Sequence, residues 1–442
     1  MVLKKLGRFL EILEETLCSS VKRSCGVFIL LTASLFLLSG CDVKKKETKR
    51  VVIWTSCSEF VQYTELFNKT HKDNNAVIVY KENPIASLPP EKGEQAPDII
   101  VGSWLRNDKI QNDFKSLDYF FDNQILESEI FYPQMIESGK KDYVQYLLPV
   151  SFNLPTIIFS AENKELVSDN YTLSIEEIRE TASKFNQKNK KDAYTKIGFT
   201  PLSNNDFLYL ATKLKGAEFR DENGKIVWNA VKLQETADFL KDWVVTENTS
   251  AQIEEDFAFK YLFMPNYRQV TSGRTLFAYT TSDELLKIMK DQNLDIDYRW
   301  VSKDSTIPME DSYVMMGIYK DCHNQTGATE FMTWFFNAEN QRAILERKEK
   351  FNLETDIFGI SGGFSSVKYV TEYILPVFYT QLLTNIPPAK MIAVPQQLPP
   401  LWKSYQEYVV DQYLTSYIYA AEDEEVPTMQ SLEKEWQKKV FD

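Results

Sequence analysis

The chain has 442 residues, 43% of them apolar, enough for two domains of ordinary size. Its formal charge of −13 repels phosphate backbones and excludes nucleic acid as a natural partner. Two histidines and five cysteines leave little material for metal or disulfide chemistry, whereas 13% aromatic residues supply ample area for a core or for stacking surfaces.

The basic pair Lys22-Arg23 precedes an apolar run at 27–38 (VFILLTASLFLL), followed by Leu38-Ser39-Gly40-Cys41. Positive charge, a short apolar core and small residues at a cleavage point are what a secretory signal needs. The run is shorter than the ~18 residues of a membrane span. A cysteine directly after the small residues resembles the bacterial lipobox, which implies cleavage after residue 40 and acylation of Cys41. Asp42 then implies retention on the outer face of the cytoplasmic membrane, the periplasmic side in a Gram-negative cell. Glu11, Glu14 and Glu15 make residues 1–20 long and acidic for a signal, so a translation start nearer Val21 is expected. Removing residues 1–40 takes away five basic and three acidic residues and leaves a net charge of −15. Lys44-Lys45-Lys46 and Lys49-Arg50 form a polar tether over 41–50.

The mature chain opens on a strand signal, Val51-Val52-Ile53-Trp54, apolar throughout as in a strand covered on both faces. Ser56-Cys57-Ser58-Glu59 has the S-x-x-E spacing of a capping box and predicts a helix through Phe60, Tyr63 and Phe67. Strands follow at 76–80 and 98–101. Near residue 150, Pro149 and Pro155 predict a stiff crossing segment rather than an interior strand. A second series follows: a strand at 156–160, a capping box at Ser174-Ile175-Glu176-Glu177, and a strand at 196–200. Helices at 207–215 and 231–245 and strands at 275–280 and 298–302 complete it. Ile307-Pro308-Met309 reads as a return crossing into a strand at 313–319, after which the chain is mainly helical. Strands alternating with helices predict an α/β fold with mostly parallel sheets and any ligand at the strand C-termini.

Catalytic motifs find no support. Gly359-Ile360-Ser361-Gly362-Gly363 matches the nucleophile-elbow spacing, but no histidine follows Ser361 to act as base, so a glycine-rich turn is expected. His71 and His323 lie outside any metal-binding pattern and read as solvated loop residues. Once Cys18, Cys25 and Cys41 are set aside, only Cys57 and Cys322 remain as free or pairing thiols. No enzyme activity, metal or cofactor is expected.

This arrangement resembles the family 1 extracellular solute-binding proteins, the group that includes maltose-binding protein. The residues that carry the resemblance are the strand ending in Trp54, Pro97-Asp98-Ile99-Ile100, and 146–160 (YLLPVSFNLPTIIFS). With them go 270–277 (VTSGRTLF), 331–341 (FMTWFFNAENQ), Gly363-Phe364-Ser365-Ser366 and the Pro-rich approach to Trp402. The resemblance implies the two-lobed type II binding-protein fold. The first lobe would take 51–152 and 310–355, the second 153–309 and 356–442. It also implies a monomeric receptor that hands a small solute to the permease subunits of an ABC transporter and touches the membrane only through its lipid.

Stacking aromatics and planar hydrogen-bonding groups suit a carbohydrate. By position, the resemblance places Trp54, Ser58 and Glu59 at the end of the first strand, beside the cleft. It places Ser103, Trp104 and Arg106 after the third strand and Asn153 on the first crossing. Ser203, Asn204 and Asn205 follow a second-lobe strand, as do Thr281 and Asp283; Gly363 lies in the C-terminal turn. Trp402 would be an aromatic platform, while Trp243 and Trp334 read as core. Leu105 and Asn153 stand where the maltodextrin-binding member has carboxylates, which argues against maltose itself. A sugar phosphate, for which Arg106 would serve, a peptide-like solute, or a sensor or adhesin role are the alternatives.

Overall fold

In the computed structural model the described residues are 48–292, 295–350, 357–421 and 423–441. The signal segment, Cys41 and most of the tether lie outside them. Minor turns aside, the chain runs β1 (Lys49–Thr55), α1 (Phe60–Thr70), β2 (Asn74–Tyr80), β3 (Ile99–Gly102) and β4 (Leu148–Phe152). After Asn153 and Leu154 come β5 (Pro155–Ser160), α2 (Ile175–Phe185), α3 (Asn205–Lys215), α4 (Ala230–Asn248), β6 (Ala278–Thr281), α5 (Ser282–Gln292) and β7 (Ile296–Val301). The chain returns through Ile307–Pro308 to β8 (Val314–Ile318), α6 (Gln325–Phe335), α7 (Ala338–Lys350) and β9 (Phe364–Ser365). A third crossing at Ile392–Ala393 leads to a continuous helical run, Trp402–Tyr405, Gln406–Val410 and Asp411–Tyr419, and to α8 (Met429–Phe441).

The first lobe is a six-stranded sheet in the order β9-β4-β8-β3-β1-β2, and the second a four-stranded sheet in the order β6-β5-β7 with Thr172–Leu173 at its edge. The expectation of mostly parallel sheets needs correction. Within these two sheets, among the described residues, only β1 with β2, β1 with β3, and β7 with Thr172–Leu173 run parallel. The first two crossings each deliver a strand running against its neighbours, so β5 pairs antiparallel with both β6 and β7, and β8 with both β3 and β4.

A second correction concerns β4, which is an interior strand despite Pro149. The register shifts beside Met315, the residue opposite the proline, so the missing N–H falls at an irregularity in the ladder. The Pro149 carbonyl accepts the Ser366 hydroxyl at 2.5 Å.

Asp98 explains why the third strand begins as it does. It is 2% exposed, and its carboxylate accepts the Val52 N–H and the N–H groups of His323 and Asn324, each at 2.8 Å. One side chain thus fastens β1 to the approach to α6. The capping box expected at Ser174 is complete: its hydroxyl accepts the Glu177 N–H at 3.2 Å, and Glu177 takes the Ser174 N–H at 2.8 Å. The one expected at Ser56 does not form; α1 begins after Glu59 without a side-chain cap, and Ser58 donates to Glu59 instead.

Alternation along β5 sorts the core. Ile157 and Phe159 join α2, α3, α4 and the C-terminal helices in one cluster, while Ile158 faces the other way into a cluster shared with the first lobe. The segment after β9 bridges the two lobes. The expected return to the second lobe at residue 356 therefore moves. β9 belongs to the first sheet, and Phe358, Ile360, Val370 and Ile374 pack in the shared cluster. Trp300 of β7 meets Phe364 at 5.9 Å and donates to the Asn385 carbonyl at 3.1 Å. Cys57 and Cys322 are free thiols. No helix among the described residues is long and apolar enough to cross a membrane.

Candidate functional site

The two lobes face each other across a cavity of about 380 Å³. Asn204 caps α3 by accepting the Phe207 N–H, and Gly216, at φ 89°, ends it. Between those ends Asp206, Tyr209, Leu210 and Lys213 recur at helical spacing and line one side of the cavity. Tyr279 and Thr281, two apart on β6, line it with Asp283 from the start of α5. The second crossing contributes Glu310, Asp311 and Ser312, and the C-terminal helical run contributes Lys403 and Gln406. From the first lobe comes Trp104, just past β3, held at φ 62° and packed against the second lobe's core cluster.

Four carboxylates and two ammonium groups share this cavity, and both ammonium groups are engaged. Lys213 donates to Asp311 at 2.8 Å and to the Met309 carbonyl at 2.7 Å, and Tyr209 donates to the other Asp311 oxygen at 2.6 Å. Lys403 donates to Asp206 at 3.1 Å, as does Gln406 at 3.4 Å. Burial pushes the Glu310 carboxyl up to about 7; Lys213 opposes the shift, and Asp311 and Asp206 add to it. Behind the wall, burial likewise raises Asp411 to about 7. Tyr209 and Tyr279 are held well above the usual phenol range, first by burial and then by Asp311 and Glu310 respectively, so both remain hydrogen-bond donors. The cavity therefore offers flat rings, hydroxyl donors and carboxylate acceptors within a small volume. That set suits a polyhydroxylated solute with apolar C–H faces.

The sequence of residues 55–342 matches the family model of the bacterial extracellular solute-binding proteins. The chain belongs to that family. Solved structures with the same fold include a protein with mannotriose bound, 13% identical, covering 88% of this chain and 99% of its own at a TM-score of 0.59. Another is a cyclo/maltodextrin-binding protein complexed with maltotetraose, 15% identical over 89% and 97% of the two chains, with a TM-score of 0.59. A third is an ABC substrate-binding protein from Listeria monocytogenes in complex with cycloalternan, 12% identical over 89% and 99%, TM-score 0.58. None of the curated proteins compared with the chain resembles it in sequence.

In this solute-binding protein the expected site residues separate into three groups. Trp104, Asn153, Thr281 and Asp283 line the cavity. Asn153 is also a hinge fastener: its amide donates to the Gly362 carbonyl at 2.7 Å and its oxygen accepts the Ser282 hydroxyl at 2.6 Å. Ser203 and Asn204 line a neighbouring cavity instead.

The others have structural work. Ser103 donates to the Ser312 carbonyl, and Arg106 donates to the Tyr313 hydroxyl at 2.6 Å and the Pro395 carbonyl at 3.1 Å, which joins β3 to the second and third crossings. Trp54 is fully buried beneath the Lys81 ammonium, 4.4 Å from its ring centroid. Ser58, Glu59 and Asn205 line neither cavity. Gly363 lies against β4, where a Cβ would stand 2.6 Å from the Phe152 oxygen, so close strand packing accounts for it.

Trp402 needs the largest correction. It is 0% exposed and covered by Phe219, Tyr209 and Tyr405, with ring centroids at 5.4–5.6 Å, so it offers no open face. Trp243 is core as expected, whereas Trp334 is only partly buried at the edge of the first cluster. The sequence reading missed Tyr209, Lys213, Tyr279, Glu310, Asp311, Lys403 and Gln406. The helical spacing of Asp206, Tyr209 and Lys213 and the polar run Glu310-Asp311-Ser312 after a crossing were the available signals.

Proposed function

We propose that this solute-binding protein captures a carbohydrate outside the cytoplasm and delivers it to the permease of an ABC importer, tethered at the outer face of the membrane by lipid on Cys41. The observation that carries the reading is the inter-lobe cavity, where Trp104, Tyr209 and Tyr279 alternate with carboxylates and with the Asn153 amide. The saccharides bound in solved structures that share the fold support it. Against a sugar phosphate, Arg106 is held by Tyr313 and Pro395, and Lys213 and Lys403 are each paired with a carboxylate. An anion would have to displace those partners.

A thermal-shift screen of saccharides on residues 42–442 tests the proposal, because a ligand bound only by the folded state raises the melting temperature. Binding should also close the lobes, lowering the radius of gyration in small-angle scattering and changing the fluorescence of Trp104. A screen in which phosphorylated sugars stabilise the protein and neutral ones do not would reverse the choice of ligand.

A further inference from the structure

The charges that line the cleft do not balance. Lys213 is paired with Asp311 and Lys403 with Asp206, which leaves Glu310 and Asp283 without an ion-pair partner among the described residues. Both are half-buried. Glu310 sits where the first and second crossings meet, its N–H donating to the Asn153 carbonyl at 2.9 Å, and Asp283 lies in the first turn of α5, just past β6.

The surplus converges on one point. The Tyr279 hydroxyl donates to Glu310 at 3.3 Å, and after burial it is Glu310, Asp206 and Asp283 that hold its phenol high, with no cation opposing them. The far end of the cavity has no cation to spare. Burial would lower the Lys403 ammonium, but Asp206, Glu407 and Asp411 together hold it above its ordinary value. That one charge already answers three carboxylates.

A neutral solute leaves the surplus uncompensated. As the lobes close and water leaves, carboxylates around one small cavity repel one another more strongly than they do in water. An ammonium placed among them turns the repulsion into attraction and donates charge-assisted hydrogen bonds to both free carboxylates. It also lies beside Tyr279, and the face of an aromatic ring attracts a cation. The same field repels a phosphate or a sugar acid.

We infer that the solute is an amino sugar, a saccharide whose protonated primary amine is held beside Tyr279 by Glu310 and Asp283. This rests on the carbohydrate reading and sharpens it.

The test is calorimetric titration of the mature protein at pH 7 with glucosamine, galactosamine and mannosamine, each beside its N-acetyl form and its parent hexose. The glucosamine β-1,4 disaccharide and cellobiose extend the comparison to a longer ligand. In the set that binds, the amine should be at least about tenfold tighter than either neutral form, and the difference should shrink as salt is raised. Glu310→Gln and Asp283→Asn keep the shape and remove one charge, so each should lower the ratio of amine to neutral affinity by about 3–10-fold. Melting temperatures within a few degrees of wild type establish that the variants fold, and the wild-type ratios decide the matter without them. Equal affinity for amine and neutral forms, or a ratio that neither substitution moves, overturns the amino-sugar assignment and leaves the carbohydrate reading standing. Spermidine, a cation without a sugar ring, is the control. Binding of spermidine with no response to any saccharide overturns the carbohydrate reading and the amino sugar together.

Discussion

Trp402→Ala separates a core residue from a ligand platform. The side chain is fully buried, and three aromatic rings lie at 5.4–5.6 Å from it, one of them Tyr209 of the cleft wall. Truncating a buried tryptophan removes its transfer free energy and leaves a void that aromatic neighbours fill poorly, a loss of about 3–5 kcal/mol. Against a total stability of about 5–15 kcal/mol that is a fifth or more. With a denaturant slope of about 3 kcal/mol/M, the urea midpoint should fall by about 1–1.7 M. Trp402→Phe keeps a ring and deletes an indole N–H that meets no geometric hydrogen-bond acceptor among the described residues, so it should cost less than about 1.5 kcal/mol. The assay is equilibrium urea unfolding followed by far-UV circular dichroism, with saccharide affinity measured on the same preparations. An alanine variant that unfolds at the wild-type midpoint but binds saccharide tenfold more weakly would refute the core assignment, because only an open platform behaves that way.

Asp311→Ala strands Lys213 and the Tyr209 hydroxyl at the hinge and should destabilise by about 2–4 kcal/mol in the same unfolding assay; Lys213→Met in that background should add little, since both belong to one network. Glu254, buried with Asn248 and the Leu202 N–H as donors, is pushed up to about 8 by burial. Between its ordinary 4.5 and about 8 the folded state holds a proton that the unfolded state has lost, so its contribution falls as pH rises through that window. Glu254→Gln should therefore narrow the gap between urea midpoints at pH 5 and pH 9; Glu310 and Asp411, shifted the same way, keep some of the slope, and an unchanged gap would count against the shift. Cys41→Ser should move the protein from the membrane fraction to the soluble fraction, and retention in a fraction that requires detergent would contradict the lipid anchor.

Where local chemistry decides, the sequence was legible. The all-apolar run at Val51 gave a strand buried on both sides, Ser174 and Glu177 formed their box, and α3 spans Asn205–Lys215 against an expected 207–215. Where distant residues decide, it was not. Trp402 follows two prolines at a helix start, and nothing local shows that Phe219 and Tyr209, nearly two hundred positions earlier, cover its ring. Arg106 read as a ligand for anions because its partners, Tyr313 and Pro395, arrive from two separate crossings. The helical spacing of Asp206, Tyr209 and Lys213 was visible, but which face of α3 meets the other lobe depends on packing against the second crossing.

The strand order β9-β4-β8-β3-β1-β2 has a consequence for how the chain is made. The first sheet needs residue 49 at one end of its sequence span and residue 365 at the other, so no early fragment can close it. At about 5–20 residues per second, roughly 15–60 s of synthesis separate the first strand from the last. For much of that interval β4 is without β8 and β9, the strands that flank it. A protein that works outside the cytoplasm has a use for such delay, because an unclosed chain can still be threaded through a narrow channel.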